Sequence, residues 1–112
     1  MKWNLIFGRK DTLLPVWAAL CEAIADGSDP RYPSGARHAL VVMVCCDKKG
    51  LEDKTRGLLG ENGWIRPVIT SVKRLEHPFH SDDPTMLACY AGAVEKDGGI
   101  IVYQDSIPDQ QT

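Results

Sequence analysis

The chain lacks any long hydrophobic run. Its longest, Ala39 to Cys46, stops at eight residues, whereas a helix needs roughly 18 to cross a bilayer. A membrane-spanning helix is excluded. The opening Met-Lys-Trp-Asn-Leu-Ile-Phe-Gly gives way to Arg9, Lys10 and Asp11 before a secretory core could form, so the expectation is a cytoplasmic protein. Cys-x-x-Cys spacing is also missing: Cys21, Cys45, Cys46 and Cys89 offer neither a redox pair nor a zinc ribbon. They read as reduced, buried thiols, with the adjacent pair pointing to opposite faces of a strand. Aromatic residues are few, at 7%, and Trp3, Trp17 and Trp64 read as core anchors rather than a cofactor box.

Catalytic signatures are absent as well. No Gly-x-x-x-x-Gly-Lys cradles a phosphate, no Gly-x-Ser-x-Gly forms a nucleophile elbow, and no His-Glu-x-x-His sets a zinc pair. Gly57, Gly60 and Gly63 do not match the dinucleotide fingerprint and fall at a helix end. A phosphatase-type cysteine needs arginine six residues on, but those positions hold Leu51 and Glu52.

What the chain does have is an uneven charge distribution. Residues 1–74 carry 12 basic and 8 acidic side chains, whereas residues 75–112 carry 1 and 7, so a net charge of −2 divides into +4 and −6. The basic residues are scattered, which argues against a nucleic-acid surface. The acidic final third suits a basic protein or the basic part of a second copy.

Hydropathy patterning sets out the elements. Lys2 to Phe7 alternates as a strand, with Trp3, Leu5 and Phe7 on one face. Asp11 or Thr12 then caps a helix in which Leu13, Trp17, Leu20 and Ile24 share a stripe, ending near Asp26-Gly27. Residues 27–37 form a long loop with two prolines and two glycines. His38 to Cys46 is apolar without alternation and reads as a central strand buried on both faces. A weak helix over Leu51–Glu61 stops at Asn62-Gly63, and Trp64–Leu75 is a strand that Pro67 assigns to an edge or a bulge. The last helix has Asp83 as N-cap and Pro84 in its first turn and ends at Gly98-Gly99. Ile100–Gln104 closes a domain spanning 1–105, and 106–112 reads as a frayed tail.

The expected fold is a layered α/β (α+β) sandwich. It has a four-stranded sheet and three helices in the order β-α-β-α-β-α-β, becoming ferredoxin-like if helix 51–61 is an insertion.

Two places concentrate reactive side chains. His77, His80, Asp82 and Asp83 lie within seven residues and include metal-ligand types, with His77 and His80 the candidate ligands. Cys45 and Cys46 end the central strand before Asp47, Lys48 and Lys49, where ligands of open α/β sheets bind. Either could serve a small enzyme. The preferred reading is a non-catalytic binding protein with no cofactor. It meets a protein partner, or a second copy, through Asp82, Glu95, Asp97 and Asp105, helped by Arg31 and Tyr32 of the long loop. Its small size, acidic end and missing catalytic motif resemble, in general character, small bacterial immunity proteins and antitoxin-like binders. That likeness carries over no residue.

Overall fold

The computed structural model describes residues 14–76, 79–103 and 107. Its elements are β1 (Val16–Ala25), β2 (Arg37–Cys45), α1 (Leu51–Glu61), β3 (Trp64–Arg74), α2 (Pro84–Glu95) and β4 (Gly99–Val102), with one 3-10 turn at Lys48–Gly50. The strands form one sheet in the order β3-β1-β2-β4, and every neighbouring pair is antiparallel. The protein is therefore α+β.

The segment expected to be the first helix is a strand. β1 pairs along its length with β2 on one side and β3 on the other, and those two ladders outweigh the helical preference of an alanine-rich run. Only two α-helices occur among the described residues, and the expected topology is corrected accordingly. The strand read over Lys2–Phe7 lies outside the described residues.

β2 is central and apolar on both faces, as its sequence implies. Leu40, Val42 and Val44 join Ala19, Cys21, Ala23, Leu51 and Leu59 in one core, while Val41 and Met43 join Val16, Cys89 and Ala93 in another. Alternate residues of a strand face opposite ways, so α1 covers one face and α2 the other. Ala19, Cys21 and Ala23 put only small side chains of β1 into the core that α1 shares with the sheet. α1 meets it through Leu51, Thr55 and Leu59, all buried at helical spacing.

The remaining boundaries follow local chemistry. Gly63 takes a left-handed φ of +89° after α1, and Asp83 caps α2 by accepting a 2.9 Å hydrogen bond from the Thr85 amide. Among the described residues β3 is an edge strand, and its register with β1 slips at Leu20/Cys21 and again at Glu22/Ile24. The second slip coincides with Arg66 at φ +53° beside Pro67, so Pro67 marks both an edge and a bulge. Neither α-helix is long and apolar enough to cross a membrane.

Candidate functional site

α2 packs on β2 and β4 and reaches only the margin of β1. Among the described residues no element covers the other half of that sheet face. There Leu20 of β1 and Ile65 and Val68 of β3 are 43%, 44% and 57% exposed, and their register with Ser71, Ile24 and Glu22 puts them on one face. Three half-bare aliphatic side chains on one sheet surface form a patch rather than scattered exposure.

Between this open half and α2 runs a groove of about 290 Å³. Ala18, Leu20, Val41 and Met43 form its floor, Ser71, Lys73 and Leu75 one wall, and Phe79 and Met86 the other. Phe79 is braced by stacking on Tyr90, with ring centroids 4.9 Å apart and planes 17° off parallel. Lys73 is the one ionisable side chain on the lining, and among the described residues no carboxylate pairs with it. The groove can hold an apolar body beside a cation. Its polar side chains are Ser71 and Lys73, both on β3.

The residues singled out from sequence are dispersed. Asp82 and Asp83 precede α2, whereas Glu95 and Asp97 lie at its far end, about 18 Å away for a helix of this length. All four are exposed. Arg31 is tied to Asp29 by a 2.7 Å ion pair, which holds that carboxyl below its usual range through hydrogen bonds from the Arg31 side chain and amide. Tyr32 packs inward on His38 and Trp64, at centroid distances of 5.2 and 5.3 Å. His38 Nδ1 lies 2.8 Å from the Tyr103 carbonyl and donates to it, while its buried Nε2 has no partner among the described residues. Arg31 and Tyr32 thus stand at the loop end of the sheet, apart from the acidic residues.

His80 is exposed, whereas His77 and Asp105 lie outside the described residues. Among the described residues no three His, Cys, Asp or Glu side chains converge as a metal site. Cys45 and Cys46 do face opposite ways, Cys45 beside the α2 core and Cys46 in the α1 core. Burial pushes the Cys46 thiol up, away from a reactive thiolate. Lys48 and Lys49 lie in the exposed 3-10 turn, capped by the Asp47 carboxylate at 2.8 Å from the Gly50 amide.

A helix over Val16–Ala25 hides the groove, because it removes the strand that forms part of the floor. Taken as a strand, Val16, Ala18 and Leu20 alternate onto one face, and that period-2 pattern was the signal available. Comparison with known proteins adds no assignment: no family model matches the sequence, and neither curated proteins nor solved structures give a match.

Proposed function

We propose that this chain is a small non-catalytic binding protein that takes an extended segment of a protein partner along the edge strand β3. The observation that carries the reading is the 11-residue edge beside the patch of Leu20, Ile65 and Val68 that α2 leaves bare. An unpaired edge presents backbone donors and acceptors to an incoming strand, and flanking apolar side chains supply contact area.

Charge indicates the kind of partner. Arg66, Lys73 and Arg74 mark the two ends of β3, and none forms an ion pair among the described residues. Self-pairing of two antiparallel β3 edges about the strand centre, Ile69, would set Arg66 opposite Val72 and diagonal to Arg74 of the second copy, within reach of long side chains, so like charges would gather at both ends of the pair. A partner strand with an apolar centre and acidic flanks fits better. Glu95 and Asp97, exposed at the C-terminal end of α2, offer a second, acidic contact for a basic region of the same partner. Four unpaired thiols suit a reducing compartment, and a cytoplasmic location is part of the proposal.

The test is a backbone amide titration by NMR with an extended peptide of alternating valine and threonine flanked by glutamates, against its lysine-flanked counterpart. The acidic peptide should shift β3 amides, and Val68→Asp should weaken it, since Val68 is exposed and its replacement spares the core. Equal response to both peptides, or none in β3, overturns the reading.

A further inference from the structure

The groove between the sheet and α2 opens on the sheet face rather than at the edge, so it can hold a ligand of its own. We propose that it binds a small anionic amphiphile: a carboxylic acid with one aliphatic chain or one aromatic ring.

The size is the first argument. About 290 Å³ lies at the small end of sites for organic ligands, which limits the occupant to a slender molecule. The lining is the second. Leu20, Val41, Met43, Leu75, Phe79 and Met86 surround it with aliphatic, thioether and aromatic surface, and two methionines, one on the floor and one on the α2 wall, allow the lining to adjust to chain shape. A polar or multiply charged ligand would lose hydration there without regaining it.

The polar groups decide the sign of the head. Ser71 and Lys73 are two apart on β3 and therefore share a face, about 7 Å apart along the strand. Ser71 offers a hydroxyl and Lys73 an ammonium without a carboxylate partner among the described residues. Both donate to a carboxylate. The lining holds no acid, so a cationic head would face Lys73 with nothing to offset the repulsion. The head therefore sits at Ser71 and Lys73, and the apolar body lies over Leu20 and Met43 towards Met86.

The experiment uses octanoate as probe, below its micellar range, with octanol and octyltrimethylammonium as neutral and cationic matches. Calorimetry should show one saturable octanoate site, and the methionine methyl signals of Met43 and Met86 should shift with it. Lys73→Met should weaken octanoate about tenfold, the loss of one charge-assisted contact, while octanol affinity holds or rises. Met86→Trp, which fills the groove from the helix side, should abolish all binding in a protein whose circular dichroism is unchanged. No saturable octanoate binding, unchanged affinity in Lys73→Met, or equal binding of the cationic probe overturns the proposal. Shifts of β3 amides by the acidic peptide read out the edge separately, so either proposal can fail while the other stands.

Discussion

Burial has a measurable chemical effect on the cysteines. It pushes the thiols of Cys21 and Cys89 from an ordinary value of 9.0 up to about 11, and it raises Cys46 in the same direction. Between pH 9 and 11 the unfolded chain loses these protons while the folded chain keeps them, so the folded state binds more protons and stability falls as pH rises. The contribution is fully present below pH 9. Urea midpoints measured at pH 8, 9.5 and 10.5 should decline in that order, and Cys21→Ala with Cys89→Ala should flatten the decline. In native protein a disulfide reagent should label Cys45 first, the one cysteine of the four that is not buried, and reach the others only on unfolding. Fast labelling of Cys89 would contradict its packing. The opposite orientation of Cys45 and Cys46 was legible in the sequence because it needs only strand alternation. The burial of Thr55, with its hydroxyl unpartnered against the sheet, was not, since a lone threonine between charged residues gives no sign of facing a core.

The α2–β4 hairpin depends on backbone proximity that only glycine permits. A Cβ at Gly99 would stand 2.9 Å from both Cα and Sγ of Cys89, closer than carbon and sulfur tolerate. Gly99→Ala should cost about 1–3 kcal/mol in urea unfolding, the range for forced overpacking. Gly57 offers the control. It lies inside α1 with nothing within 4 Å of an added Cβ, so Gly57→Ala should stabilise by up to about 1 kcal/mol. A neutral Gly99→Ala would show that the helix can lift from the strand at little cost. Element boundaries were legible wherever local chemistry sets them: Asp83 with Pro84, Asn62 with Gly63, Pro67 on an edge. β1 was not, because its residues serve two patterns. Leu13, Trp17, Leu20 and Ile24 suit a helix, but Val16 through Ala25 is also apolar on both strand faces, and only the presence of β2 and β3 on either side selects the second.

For the molecule as a whole, a four-stranded sheet packed with helices was legible, but the place of each element in it was not. The central strand and two of the helices could be read from patterning, whereas strand order depends on contacts between distant segments and leaves no local trace. The same holds for charge. The acidic third is real in composition, yet α2 separates its members to opposite ends. Reversing Glu95 and Asp97 to lysine should therefore alter unfolding free energy by about 0.5 kcal/mol or less, as for other exposed charges. If those residues also meet a partner, its association rate should drop and lose salt dependence, and unchanged kinetics would confine recognition to β3. The position of β1 between β2 and β3 bears finally on synthesis. β2 follows after one loop, starting at Arg37, but the β3 residue that bonds Leu20 comes 50 residues later. At about 5–20 residues per second, the ribosome needs about 3–10 s to deliver it. During that interval the nascent β1–β2 hairpin carries a bare apolar edge, which is the window in which a chaperone, or a neighbouring chain on the same message, could reach it.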